Sequence, residues 1–458
     1  MQKLTHGLSY FLFLSFAILL ILFRIPWIDE SWVAGPAVTF MRYGSLLDFG
    51  MCRSGGVLAH TYYLELYALF QAGWYFLGDF NLVWCRFFNV IMGFFFLLTI
   101  DRCLKIADIS QKICTIAIAL GGINYFFLYA ATQNRPEAAA LFTSALSLIF
   151  YLNWRNNFEN YWYLSFSNAL IIVSTLLHLQ GAFTGLSLWV ATFIVDRKLL
   201  KKNQILAFFI PYVVTFFLIG MYLYPQWRDF IDFLYRIFVN NKMLGHSGGM
   251  VFATLNYWNK HEFAKLLVSL VLIVLPTLGM IAFIKKDKNK VRMILLIFAS
   301  GGYISWLCTT AHINDYHASW LSLALILSVV GAVENLQNTN NLLTKTRMIS
   351  IISLMLVLGI YSTFFVFNTV ISNPYKNIYD FDLDYFSSKY GLTKSQVGGV
   401  RDIQWYFKFD PQILCVSKLG VFPEYYIVNN EVGAKADDTY HFLEKGRGFS
   451  IYRKNRLA

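Results

Sequence analysis

The stretch LSYFLFLSFAILLILF, running at once into RIPWIDESW (Leu8–Trp32), sets an uncharged apolar segment directly against a cation, a proline and two adjacent acids. A run of this kind is buried in protein or in lipid, and its length suits a helix better than a strand. It lacks the small-residue cleavage site of a secretory leader and continues into Arg24-Ile-Pro-Trp27, so it reads as a membrane anchor. Asp29 and Glu30 then lie at the mouth of the first apolar segment.

The rest of the chain agrees with the anchor. Hydrophobic residues make up 57% and charged residues 14%, and the mean hydropathy is +0.51, outside the range of soluble domains. A formal charge of +12 would point to nucleic acid in a soluble protein. Here the Lys and Arg fall in short clusters between apolar runs, which makes them topology signals and argues against a nucleic-acid partner. The template of roughly 20 apolar residues per membrane helix fits the chain about eleven times. The candidate spans are 8–23, 83–100, 113–131, 137–153, 162–178, 182–195, 204–224, 264–284, 291–309, 318–333 and 348–368.

The stretch 57–77 is apolar and aromatic but carries His60, Glu65 and Gln71. Read as a span, it splits the basic clusters between the two faces. Read as a helix lying in the interface, it leaves Arg102/Lys105/Lys112, Arg197/Lys198/Lys201/Lys202, the 285–292 cluster and Lys345/Arg347 on one side. That side is the cytoplasm. The opposite face then holds the first outer loop (24–82), the 132–137 loop, His178, the 225–262 and 309–317 loops and the C-terminal tail. From residue 372 onward the composition turns mixed, with short apolar runs such as Tyr425-Tyr-Ile-Val428 bounded by Asn, Gly and Pro. The fold expected is an all-α polytopic membrane domain over 1–371, with interfacial helices in its first outer loop, and a small extracytoplasmic α/β domain over 372–458. The six cysteines form no metal-type spacing, and only Cys52 and Cys415 fall on the oxidising side, where a disulfide between them is an open alternative.

The chemistry belongs on the outer face. Asp29 and Glu30 either cap a helix N-terminus, where carboxylates are favoured, or act on a substrate, as a rigidly placed carboxylate is able to do. In Thr132-Gln-Asn-Arg-Pro-Glu137, Arg135 either snorkels to headgroups or binds phosphate oxygens, and Glu137 serves as a second acid or a metal ligand. His178 ends a span, as a satisfied interfacial residue or as a donor to phosphate or sugar. Asp315-Tyr316-His317, near His312, either line a donor pocket or cap their helix. The 225–262 loop combines Trp227, Arg228, Arg236, Lys242 and His246, suited to an anionic lipid or to headgroups in general. Arg42 and Arg53 are further candidates for the same role.

Taken in order, Ile28-Asp29-Glu30-Ser-Trp32, Tyr43-Gly44-Ser45, His60-Thr-Tyr-Tyr63 with Leu77-Gly78, Arg86 at the start of a span, and Asn134-Arg135-Pro136-Glu137-Ala-Ala-Ala140 carry a family resemblance. The set resembles the C-type glycosyltransferase superfamily (GT-C), in the branch of protein O-mannosyltransferases and lipid A aminoarabinose transferases. The resemblance covers roughly residues 1–200 in order and spacing, and the remainder more loosely. The sequence departs from it at Thr61, where the family often has proline, and at Glu137, where the aminoarabinose transferases have Asp.

The resemblance implies that Asp29 is the base for the acceptor, that Glu137 and Arg135 share its cavity, and that His60 helps bind substrate. It implies a polyprenyl-phosphate-linked sugar donor, a lipid, glycan or protein acceptor, and a place in a bacterial inner membrane with the site on the periplasmic face. Family members differ in metal need, so a divalent metal at Asp29 and Glu137 stays open, as does the role of Glu30. Two other classes compete. An O-antigen polymerase or ligase also combines many spans with a basic outer loop. A transporter would show paired inverted repeats and mid-span ionisable residues, and neither is seen.

Overall fold

Backbone polar groups find no partner in lipid, so an apolar run has to close its own hydrogen bonds as helix. The computed structural model describes residues 2–24, 28–44, 46, 65–78, 81–228, 231, 263–284, 289–309, 317–338, 340–371, 374–392, 397–399, 406, 413–414, 423–429, 439–446 and 449–455. Its helices are α1 (Gln2–Phe23), α2 (Ile28–Tyr43), α3 (Glu65–Leu77), α4 (Leu82–Ile106), α5 (Gln111–Gly122), α6 (Tyr125–Ala131), α7 (Glu137–Asn156), α8 (Trp162–Leu177), α9 (Gly181–Val190), α10 (Lys202–Leu223), α11 (Phe263–Ile284), α12 (Lys290–Thr309), α13 (Ser322–Asn338), α14 (Leu342–Ile371) and α15 (Pro374–Tyr390). A π-turn, Ala191–Val195, continues α9.

Among the described residues five helices are long and apolar enough to cross a membrane, or six with one bent pair; Trp162–Leu177, Gly181–Val195 and Ile273–Ile284 are shorter apolar helices. The bent pair departs from the single span expected at 113–131. α5 and α6 meet at 64°, because Asn124 turns its Oδ1 onto the N–H groups of Phe126 (3.0 Å) and Phe127 (3.4 Å) and so opens a new helix. In the ambiguous 57–77 segment α3 is 13 residues or about 20 Å long, and 57–64 lie outside the described residues. It buries Tyr67, Ala68, Gln71, Ala72 and Tyr75 on one face and exposes Phe76 and Leu77.

The chain divides into two compact units. One contains residues 1–17, 90–131 and 136–364; the other contains 18–89, 132–135 and 365–458. In the first unit α13 is the buried centre, while α10 turns Phe216, Phe217, Leu218 and Met221 outward. Helices in lipid gain little from apolar contact alone, so they associate through small residues and interhelical hydrogen bonds. α7, α8 and α9 follow this rule: Ser144 Oγ lies 2.7 Å from Ser174 Oγ and 3.0 Å from Thr184 Oγ1, and Ser147 meets Ser167 at 3.1 Å. α11 and α13 approach still more closely, since a Cβ on Gly331 would lie 2.5 Å from the Gly279 carbonyl oxygen and 2.6 Å from the Phe283 nitrogen. Below them Arg292 makes a two-pronged pair with Glu334 at 2.7 and 3.0 Å.

In the second unit, α15 covers a five-stranded mixed sheet of order β2-β1-β3-β5-β4, made of β1 (Val397–Gly399), β2 (Ile413–Leu414), β3 (Tyr425–Asn429), β4 (Tyr440–Lys445) and β5 (Phe449–Lys454). β1 runs parallel to β2 and β3, and β5 is antiparallel to both β3 and β4. Leu383, Phe386, Leu392, Val397, Ile427, Phe449 and Ile451 form its core. Lys389 (2.7 Å), Tyr390 (2.8 Å) and Tyr385 (3.0 Å) all donate to the Glu444 carboxylate and hold it below the usual range, the lysine contributing most. The mostly helical fold with a small C-terminal sheet is the one the sequence predicts.

The Gly331 contact is with rigid backbone, so Gly331→Val should overpack the α11–α13 interface and cost about 1–3 kcal/mol. A lowered Tm of the detergent-solubilised protein checks this. Gly220→Ala, where nothing lies within 4 Å, should leave Tm unchanged.

Candidate functional site

Asp29 and Glu30 occupy the first turn of α2. The side chain of Asp29 lies outside the described atoms. Glu30 is fully buried and held on both oxygens: Arg86 Nε donates to Oε1 at 2.7 Å and Arg86 Nη2 to Oε2 at 2.6 Å. The planar guanidinium fork matches a carboxylate edge, which makes this the stronger form of ion pair. Arg86 comes from the first turns of α4, and its Nη1 also donates to the Arg24 carbonyl at 2.7 Å, closing the end of α1.

The same carboxylate reaches the second sequence cluster. The backbone N–H of Asn134 donates to Glu30 Oε1 at 2.8 Å, and Asn134 Nδ2 lies 3.4 Å from the Glu30 carbonyl oxygen. Two motifs 104 positions apart are thereby joined. Tyr67 on α3 donates to Asn134 Oδ1 at 3.2 Å, and Tyr67 Oη itself accepts from Gln71 Nε2 and Asn89 Nδ2, both at 2.8 Å. Asn89 also donates to the Gln133 carbonyl at 2.6 Å. Gln71, Asn89, Gln133 and Asn134 are all fully buried. Among the described residues the side-chain amide of Gln133 and the carbonyl oxygens of Gln71 and Asn89 find no hydrogen-bond partner, so this polar interior keeps hydrogen-bonding capacity for another group.

Arg135 follows Asn134 and is 7% exposed. Glu137, fully buried, opens α7 in the other unit, where its Oε1 lies 3.6 Å from Nε2 of His178, the residue that ends α8. His178 Nδ1 accepts the backbone N–H of Gln180 at 3.3 Å. That bond leaves the proton of a neutral imidazole on Nε2, facing the carboxylate. His178 ring also lies 6.2 Å from the ring of Trp320.

The sequence expectations therefore fall out unevenly. Glu30 and the Asn134-Arg135 loop come together, as do Glu137 and His178. Arg42 lies exposed in the last turn of α2. His60, Arg53, Asp315, Tyr316 and both cysteines of the considered disulfide lie outside the described residues; His317 starts a short 3-10 turn, with its side chain likewise outside. Among the described residues no three His, Cys, Asp or Glu side chains converge to hold a metal. Glu137 and His178 supply two donors. Tyr67 and Asn89 are the site residues that sequence reasoning missed, and Arg86, quoted with the family resemblance, was given no role. An amide on the otherwise apolar α4 was the available signal for Asn89.

No family model and no curated protein matches the chain by sequence. By structure it is similar to ArnT from Cupriavidus metallidurans bound to undecaprenyl phosphate, at 12% identity and a TM-score of 0.60, over 98% of this chain and 97% of that one. The same protein in the apo state gives a TM-score of 0.59 at 12% identity over the same shares. The oligosaccharyltransferase of Archaeoglobus fulgidus, tethered with an acceptor peptide, gives 0.53 at 12% identity over 98% of this chain and 74% of that one. Both neighbours are GT-C membrane glycosyltransferases. At such identities the likeness is one of fold, and the fold of this chain is that of the GT-C enzymes, as the resemblance of its motifs implies.

Removing one partner of the Glu30–Arg86 pair strands a buried charge, a loss of about 3–5 kcal/mol. Glu30→Leu and Arg86→Met should each lower Tm sharply. The double variant Glu30→Leu/Arg86→Met should lose much less than the sum of the single losses, as a thermal-denaturation double-mutant cycle would read out.

Proposed function

We propose that this chain is a membrane glycosyltransferase that moves a sugar from a polyprenyl-phosphate donor to a hydroxyl or phosphate acceptor at the outer face of a bacterial inner membrane. The acceptor is a lipid A-type lipopolysaccharide, another envelope glycan or a protein. The chain crosses the bilayer about eleven times, one crossing per apolar run, with 113–131 crossing as the bent pair α5 and α6. The donor's lipid lies among those spans, and residues 372–458 form the outer domain.

The observation that carries this reading is the 2.8 Å hydrogen bond from the Asn134 backbone to the buried Glu30 carboxylate. Asp29 precedes one partner of that bond and Arg135 follows the other, so the two chemically active residue types stand on anchored backbone. The fold shared with ArnT, whose structure holds undecaprenyl phosphate, supports a donor of that class. Asp29 accepts the acceptor's proton as its oxygen attacks the anomeric carbon, with inversion and no covalent intermediate. Arg135 pairs with the phosphate and steadies the charge that grows as it leaves. Glu30, bound at both oxygens, positions the first turn of α2 rather than moving a proton.

Comparing lipids and glycans by mass spectrometry from cells with and without the gene identifies the transferred sugar and gives the assay. With it, Asp29→Asn should lower transfer by about 10²–10⁴-fold while Tm is kept; full activity in that variant would remove Asp29 from the chemistry. Arg135→Ala should cost about 10–100-fold in kcat/KM for the donor, with acceptor KM little changed. The opposite split would deny it the phosphate.

A further inference from the structure

α7 carries Glu137 in its first turn and Arg155 in its last. At about 1.5 Å rise per residue the two lie about 27 Å apart along the helix, close to the thickness of a bilayer's hydrocarbon core. At the Arg155 end, and so on the membrane face remote from Glu137 and His178, lies a cavity of about 430 Å³ lined by Phe193, Ile194, Val195, Arg197, Lys198 and Lys290. The proposed transfer chemistry makes no use of it.

Its charge is unbalanced for a structural reason. The nearest acid in sequence, Asp196, is buried and already engaged, accepting from Arg155 Nε at 3.1 Å and from Tyr151 Oη at 3.1 Å. Arg197, Lys198 and Lys290 are exposed, and among the described residues none of them has a carboxylate partner. The opposite wall is apolar and outward-facing: Ile194 is 63% exposed, and Phe193 lies against Phe208 and Phe209 of α10 at ring distances of 5.2 and 6.4 Å. α10 continues that surface with Ile205, Leu206 and Ile210, all exposed. A free anion would use only the cations, whereas a phospholipid with a net negative headgroup would use both walls at once.

We infer that this cavity is a binding site for an anionic phospholipid, with its phosphate between Arg197, Lys198 and Lys290 and an acyl chain along Ile194, Phe193 and the outer surface of α10. Basic pockets beside membrane helices recognise headgroups in this way, each cation adding to the attraction. The lipid would act as a staple between the start of α12, which supplies Lys290, and the end of α9 with its π-turn.

The test is a titration of the full-length, detergent-purified protein with dioleoyl phosphatidylglycerol, read as the rise in Tm and fitted for Kd. Dioleoyl phosphatidylcholine and inorganic phosphate are run alongside. Phosphatidylglycerol should raise Tm, and the other two should not. Arg197→Ala/Lys198→Ala/Lys290→Ala should weaken phosphatidylglycerol at least about tenfold, with the lipid-free Tm unchanged because all three side chains are exposed. Should the triple variant fail to fold, Lys198→Ala and Lys290→Ala alone should each weaken binding measurably. An unchanged Kd in these variants overturns the site. Equal stabilisation by inorganic phosphate, which means a plain anion site, or by phosphatidylcholine, which means a bulk lipid effect, overturns it as well.

Discussion

The buried pair between Glu30 and Arg86 is the interaction on which the rest of the candidate site depends. Two full charges with side-chain exposures of 0% and 1% are costly to desolvate, and only close geometry with every remaining donor and acceptor engaged makes the arrangement tolerable. Each additional bond does structural work. The third arm of the guanidinium ends α1, and the carboxylate collects the Asn134 backbone. One ion pair therefore fixes the end of the first helix, the start of the second and the loop that carries Arg135. A neutral pair of similar size would fill the space without drawing a distant loop to it.

How much of this could be read from residues alone varies along the chain. The helical membrane character was plain because apolar runs of span length have few alternatives, and the C-terminal sheet was plain because composition and turn residues change together after residue 372. The break at Asn124 was hidden: Gly121-Gly122-Ile-Asn124 sits within an otherwise unbroken apolar run, and hydropathy does not register an Asn that caps a helix from inside a span. Asp29-Glu30 and the Asn134-Arg135 loop stood out as charged or amide residues where lipid-facing chain should have none. That they meet was not legible, since proximity across 104 positions is a tertiary fact. The sequence put Asp29 ahead of Glu30 only through the family resemblance and left the role of Glu30 open; the burial of Glu30 against Arg86 is what the structure adds.

Within the first unit small polar side chains join helices that large aromatic side chains also pack together. Ser144, Ser174 and Thr184 bring three helices together, and a Cβ on Gly181 would come within 2.7 Å of the Ser174 backbone. Close approach of this kind permits little sliding. α7 packs against α8 and α9 in a frame that runs from the Glu137–His178 contact at one end to the contact between Arg155 and Asp196, after the π-turn, at the other. Rearrangements that admit a substrate would fall to the loops around this frame and not to the frame itself.

The π-turn at Ala191–Val195 bears on this frame through the charges that follow it. The turn ends at Val195, and Asp196 leaves the helical path at φ −109° and ψ 13°. From there its carboxylate faces inward, onto Tyr151 and Arg155, while Arg197 and Lys198 are exposed. The end of α9 thus sorts charge by sign, keeping the negative group within the protein and presenting the positive ones to its surroundings.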